Sequence, residues 1–151
     1  MRLQLTKRTD YAIRACLHLA SADACPISGR RIAEQMDIPD QFLPQVMADL
    51  GRAGIVASTS GKHGGYCLRR DPATLSLLEV VDAVDGGEMR RSGALRETIR
   101  DGGPAHALYP VWATAQTAFI DVLAGASIAE LVARQRATDE NGPVGPERTE
   151  R

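Results

Sequence analysis

No run of apolar residues in this 151-residue chain approaches the ~18 to 20 residues that span a bilayer. The basic start, Met1 and Arg2, leads into polar Gln4, Thr6 and Lys7 instead of the apolar stretch of a signal peptide, so the expected setting is the cytoplasm. Cysteine is scarce. Cys16, Cys25 and Cys67 stand apart, without a Cys-x-x-Cys pair or spaced histidines, which argues against a structural zinc site, and their odd number argues against a disulfide framework. His18, His63 and His106 are equally dispersed, and no Ser-His-Asp or paired-carboxylate set stands at diagnostic spacing. Residues 61–65, Gly-Lys-His-Gly-Gly, lack the Lys-Ser/Thr ending of a phosphate-binding loop. Together these absences argue against an enzyme.

What is present describes a globular chain. Hydrophobic residues make up 44% and charged residues 25%, enough to bury a core, and the length suits one domain of roughly 100 to 200 residues with an appended oligomerisation element. The net charge of −1 hides a polarised distribution. Residues 1–70 carry 10 Lys+Arg against 6 Asp+Glu (10 − 6 = +4), and residues 71–151 carry 8 against 13 (8 − 13 = −5). A basic half beside an acidic half suggests that a polyanion, most simply nucleic acid, meets the first half only.

Apolar periodicity organises that first half. Residues 9–21 read as a helix carrying Tyr11, Ile13, Leu17 and Leu19, with Thr9 as N-cap and Asp10 in the favourable first turn. After Cys25-Pro26-Ile27, Ser28 caps a short helix to Met36, and Asp37 to Asp40 end it. Residues 40–53 repeat Phe42 or Leu43, Val46, Met47, Leu50 and Ala53 at helical intervals and stop at Gly54, a natural terminator. A short helix, a tight turn and a longer amphipathic helix make the helix-turn-helix pattern, whose second helix can enter the major groove. Residues 55–58 then read as a strand, 59–64 as a Gly-rich basic turn with Lys62 and His63, and 65–70 as the returning strand, with Gly64 and Gly65 permitting a close or left-handed backbone path. A helix-turn-helix followed by a hairpin is a winged helix.

The second half is sparser. Residues 75–84 form a short apolar helix, and 85–104, with five glycines, read as loop. Residues 105–124 form a long helix with Pro110 in a first-turn position and Val111, Trp112, Ala115, Phe119, Val122 and Leu123 at helical spacing. Such a helix cannot bury its stripe alone, so Trp112, Ala115, Phe119 and Val122 are candidates for a homodimer interface. Ser127 to Glu130 match a capping box ahead of a further helix, and 137–151 read as a disordered tail. The fold class expected is mostly α with a small β-hairpin wing. The divisions are 1–84 (DNA-binding domain), 85–104 (loop), 105–136 (dimerisation helices) and 137–151 (tail).

Five segments in this order, the opening MRL..T..TDYAIRA, RIAEQMDIPDQFLPQVMADLGRAGIV, the wing GKHGGYCLRR, LSLLEVVDAVDG and the late YPVWATAQTAF...SIAELV, resemble the winged-helix transcriptional regulators of the IscR and NsrR type, the Rrf-two family. The resemblance runs from Met1 to about Gln135. It implies a sequence-specific regulator, a repressor, acting as a homodimer on a partly palindromic operator in double-stranded DNA and linked to stress or redox responses. Gln41, Phe42 and Gln45 are then candidates for base contact, Phe42 being equally explained by core packing. Arg30, Arg31, Lys62 and His63 are candidates for phosphate contact. Where many relatives place an Arg before the wing glycine, this chain has Ser60. The iron-sulfur cluster typical of relatives loses its cysteine ligands: Ser92 and His106 stand at two of their positions, and no cysteine lies between Asp85 and Ala124. Asp10 falls where some relatives use a carboxylate ligand, so Asp10 and His106 are the only ligand candidates there, too few for a cluster. Cys25 and Cys67 are alternative sensor thiols, against the reading of ordinary small residues, and Cys16 belongs to the core. The rival reading is a winged-helix protein-interaction module without sensor function or specific DNA binding.

Overall fold

The computed structural model describes residues 5–87 and 105–141. Six helices and one hairpin follow in chain order among them: α1 (Lys7–Ser21), α2 (Gly29–Met36), α3 (Leu43–Arg52), β1 (Val56–Thr59), β2 (Gly65–Leu68), α4 (Leu77–Asp85), α5 (Ala105–Gly125) and α6 (Ile128–Asn141). Three helices ahead of a two-stranded antiparallel hairpin form a winged helix, as the sequence pattern predicts. In the hairpin Val56 faces Leu68 and Thr59 faces Gly65.

α1 is the axis of the core. It buries Thr9, Ala12, Ala15, Cys16 and Leu19, whereas Tyr11, Ile13 and Leu17 are half-buried, so apart from Leu19 small residues line its inner face. Small side chains let α4 and α6 pack closely against it. The helix starts two residues earlier than predicted. Thr6, not Thr9, is the N-cap, its Oγ1 accepting the Thr9 N–H at 3.1 Å, while Thr9 is buried on the helix and exchanges a 2.8 Å hydroxyl contact with Thr6.

The carboxy-terminal helices also differ from expectation. α5 begins at Ala105, so Pro110 lies inside the helix and not at its first turn, where its missing N–H removes one ladder bond. α6 continues through Ala137 to Asn141, so the predicted tail is helical over its first residues. The chain offers helix-compatible side chains until Gly142 and Pro143, and residues 142–151 lie outside the described ones. Most of the predicted 85–104 loop lies outside them too, although Asp85 still belongs to α4. α6 is not peripheral, because Ile128 and Val132 are buried in the main core. The α5–α6 corner is pinned to α4 by the Leu77 N–H to the Ala126 carbonyl (2.8 Å) and the Ile128 N–H to the Leu75 carbonyl (2.9 Å).

α4 starts with a capping box: Ser76 Oγ accepts the Glu79 N–H at 3.2 Å, and Glu79 Oε2 accepts the Ser76 N–H at 3.0 Å. The Ser76 backbone bond, more than the Ser76 hydroxyl and Arg70, holds the Glu79 carboxyl below its ordinary range. A lowered folded-state pKa means that this stabilisation is complete above about pH 4.3 and is lost as pH falls through the folded value. Ser76→Ala is expected to lower stability by about 1 kcal/mol at pH 7. The substitution keeps the Ser76 N–H, so urea unfolding should show only a part of this deficit, that of the Ser76 hydroxyl bonded to the Glu79 carboxylate at 3.0 Å, disappearing in acid.

Candidate nucleic-acid interface

The helix-turn-helix is built by caps at both ends of its turn. Ser28 Oγ accepts the Arg31 N–H at 3.3 Å to start α2, and Asp37 in the left-handed region (φ 52°) ends it. Ile38 is buried and anchors the turn. The Phe42 N–H then reaches the Pro39 carbonyl at 2.9 Å, so residues 40–42 form a turn, and α3 starts only at Leu43. The predicted start at residue 40 is therefore three residues too early. Pro44 has no N–H for a bond back to the Asp40 carbonyl, and its ring would clash there. Gln41 and Phe42 thus sit on the turn before the helix, both exposed.

α3 buries Leu43, Val46, Met47, Asp49 and Leu50. On α3, Gln45, Ala48 and Arg52 are exposed and recur at intervals of three and four residues, forming one outward stripe, and Gln41 is exposed on the turn that leads into it. Phe42 serves both readings in part: its ring lies 5.8 Å from that of Tyr11, yet it remains 45% exposed. The wing tip follows with Lys62 and His63 exposed, and Arg30 and Arg31 are exposed on α2. The sequence-predicted DNA-contact residues therefore share the helix-turn-helix and its wing.

Sequence reasoning missed the ion-pair network beneath the stripe. Asp49 is 3% exposed, and its carboxylate accepts bonds from Arg8 of α1, from Arg52 one turn along, and from Gln45 Nε2 at 3.3 Å. The amide of Gln45, a base-contact candidate, is thus engaged within the chain. Arg30 pairs with Glu34 at 2.8 Å, and Arg70 with Glu79 at 3.2 Å. Asp49 gives only a weak signal in the sequence, an acidic residue among the apolar positions 46, 47 and 50.

The Rrf2 family, described as iron-dependent transcriptional regulators, matches residues 5–134. The chain belongs to this family. It is 34% identical over 139 residues to a putative HTH-type transcriptional regulator of Azotobacter vinelandii, covering 91% of this chain and 84% of the relative. It is also 28% identical over 141 residues to the HTH-type transcriptional regulator IscR of Escherichia coli, covering 93% and 86%. Among solved structures it resembles CymR, the global cysteine regulator of B. subtilis, with a TM-score of 0.75 at 23% identity, over 88% of this chain and 98% of that one. This last likeness shows the fold.

The iron-sulfur cluster implied by the resemblance can be tested against the donors of this Rrf2 chain. Asp10 is paired with Arg14 at 2.6 Å, and Arg14 also donates to the Met36 carbonyl at 3.2 Å, so Asp10 helps tie α1 to α2. Ser92 lies outside the described residues, as does the side chain of His106, whose backbone is in the first turn of α5. Cys16 is buried among apolar groups, which pushes its thiol up to about 12. Cys25 and Cys67 are bonded to each other, correcting the expectation that the odd cysteine count leaves no disulfide; two pair and the third is free in the core. A buried neutral thiol, two sulfurs already joined and an ion-paired carboxylate do not fit a cluster. Among the described residues no group of three or more His, Cys, Asp or Glu could hold a metal ion.

Arg8 and Arg52 together neutralise the Asp49 carboxylate. Replacing both by Ala should cost about 3 kcal/mol or more, and either single replacement clearly less, because the other guanidinium remains. Equilibrium unfolding of the three variants checks this, and additive single losses would contradict the shared role.

Proposed function

We propose that this Rrf2 protein is a homodimeric, sequence-specific DNA-binding regulator of the cytoplasm, acting as a repressor by covering its operator. The observation that carries the reading is the exposed α3 stripe Gln45, Ala48 and Arg52, with Gln41 exposed on the turn before it, alongside a wing tip bearing Lys62 and His63. Glutamine can pair bidentately with adenine, an arginine with guanine, and an aromatic such as Phe42 can meet a thymine methyl. Lys62, His63, Arg30 and Arg31 would supply phosphate contacts that fix register. The Arg30–Glu34 pair is open to solvent on both sides and is weak enough for phosphate to displace, whereas Arg52, exposed itself, holds the buried Asp49 and would reach a phosphate only by leaving that carboxylate to Arg8 and Gln45.

The dimer reading is supported by α5. Leu108, Val111, Ala115, Ala118 and Val122 are all exposed, with Val111 at 66% and Val122 at 70%, and they recur at intervals of three, four, three and four, the seam of a two-helix coil. Trp112, Gln116, Phe119, Ile120 and Leu123 are half-buried within the single chain, on the helix that packs against α4. Ala115 and Val122 therefore lie on the proposed seam, and Trp112 and Phe119 border it. Two copies paired along α5 would present two α3 helices to major grooves about 34 Å apart.

The rival, a protein-interaction module, draws support from Ser60 at the wing and from the arginines held by carboxylates. Selection of bound duplexes from a random pool separates the two, because a regulator yields one partly palindromic sequence whose affinity falls steeply with salt, and a module yields none. On that operator Gln41→Ala should cost ~1 to 3 kcal/mol at one base position, whereas Lys62→Ala should weaken all duplexes alike and lower the salt slope by about one. Equal effects on every sequence would remove Gln41 from base reading. In sedimentation, Val111→Glu and Val122→Glu should each give monomers that remain folded; dimers as tight as the parent would displace the interface from the α5 seam.

A further inference from the structure

The bond between Cys25 and Cys67 joins segments 42 residues apart: the loop ahead of α2 and the wing strand β2. Between them lies a backbone pair. The Ile27 N–H reaches the Tyr66 carbonyl at 3.0 Å, and the Tyr66 N–H reaches the Ile27 carbonyl at 2.8 Å. The neighbouring junction is tight, since a side chain at Gly29 would touch both Leu43 of α3 and the Tyr66 ring at 3.4 Å. The sulfur bridge therefore stands where α2, α3 and the wing meet.

We propose that Cys25 and Cys67 are a reversible thiol-disulfide couple, exchanging with small-molecule thiols and their disulfides, that sets how firmly the wing is held against the helix-turn-helix and hence how tightly DNA is bound. The proposal rests on the DNA-binding reading above. Cys25 is exposed and Cys67 half-buried, so a small thiol can reach the bridge. Cys16 cannot share this chemistry, being fully buried. The Ile27–Tyr66 pair does not involve either sulfur, so it keeps the reduced thiols adjacent and makes closure an intramolecular step. A regulator beside DNA in the cytoplasm meets reductants that open accessible disulfides, which makes such a bond conditional there.

The exchange balances as follows. A small-molecule thiolate attacks Sγ of the exposed Cys25; the S–S bond breaks, and its electron pair leaves on Cys67 Sγ, which takes a proton from water. A second small thiolate attacks the external sulfur of the mixed disulfide and releases Cys25, which is protonated in turn. Two electrons enter the protein, and two small thiols leave as one disulfide. The reverse sequence, with that disulfide as oxidant, closes the bridge. The bridged form is the tighter binder, because its wing tip and α3 are held at one spacing before DNA arrives.

The test uses the full-length protein, equilibrated in graded mixtures of reduced and oxidised dithiothreitol. Mass analysis after alkylation counts thiols, and fluorescence anisotropy measures affinity for the selected operator. One two-electron transition should appear in the parent and be absent from Cys25→Ser and Cys67→Ser. Reduction should weaken operator binding at least about fivefold, and both variants should bind like the reduced parent in every mixture. Reduced parent alkylated at both thiols provides a further unbridgeable form if a variant folds poorly. Equal affinity of the two states, tighter binding by the reduced state, or failure of the bond to form would each overturn the switch. Absence of duplex binding in both states would overturn the DNA-binding reading and the switch with it, and the thiol count, taken without DNA, would still show whether the couple exists.

Discussion

The placement of the wing depends on two backbones lying in contact. A Cβ at Gly65 would run into the carbonyl group of Ile27, so any larger residue would force the α1–α2 loop away from β2. With glycine there, Ile27 and Tyr66 pair through both of their N–H groups, and the loop acts as a third, single-residue partner for the hairpin. Two four-residue strands are marginal by themselves. Their attachment to the helices comes from this pair, from the Ile55 N–H bonded to the Leu50 carbonyl of α3 at 2.9 Å, and from Tyr66 and Leu68 packed on the core. The placement of the wing beside α3, on which the DNA reading depends, begins with that contact, which also brings together two cysteines distant in sequence.

Local signals carried much of the fold. The Ser28 cap, the Gly54 terminator with φ 71° and the Ser127–Glu130 capping box, bonded at 3.1 and 3.2 Å, are each decided by neighbours within four residues, and each is legible from the sequence. Features decided across the fold were not. Thr9 reads as a cap because its side chain suits one, but Thr6 stands one turn earlier and leaves Thr9 to be buried. The odd count of cysteines conceals a pair that only the loop-to-wing contact brings together. Asp49 stands among the apolar positions 46, 47 and 50, and its burial becomes intelligible only once Arg8, 41 residues away, is seen to reach it. On the proposed interface, the wing residues and the turn residues were legible as basic or amide groups beside glycine and proline, whereas Arg52 was hidden among ordinary arginines.

That network also qualifies the charge argument. Only part of the basic excess in the first half is an open positive surface, since Arg8 and Arg52 share Asp49, Arg14 holds Asp10, and Arg30 and Arg70 hold glutamates, whereas Arg31 and Lys62 are exposed. The pairs differ in what they do. Asp49 is buried, so its arginines are tied to the integrity of α1 and α3, whereas Arg30–Glu34 is open to water on both sides and contributes little to stability. Arg30 can therefore turn to a phosphate at small cost, and Arg52 can do so only by leaving Asp49 to Arg8 and Gln45. Phosphate contact by Arg52 would then loosen one side of the Asp49 network, linking DNA binding to the packing of α1 on α3.

The carboxy-terminal helices divide the remaining work by burial. α6 returns to the core, with Ile128 fully buried beside α1, and the hydrogen-bonded corner at Ala126 to Ile128 ties it to α4. One end of α5 is therefore fixed to the DNA-binding body, while its outer stripe from Leu108 to Val122 extends about 21 Å at 1.5 Å per residue. A seam of two heptads is short for a stable coiled coil, so the bordering Trp112 and Phe119, half-exposed in one chain, are well placed to widen it. A dimer built this way would hold its two α3 helices through packed helices rather than through a flexible linker. The separation of operator half-sites would then be a property of the α4–α5 packing, and a change in that packing would be felt at the DNA as a change in spacing.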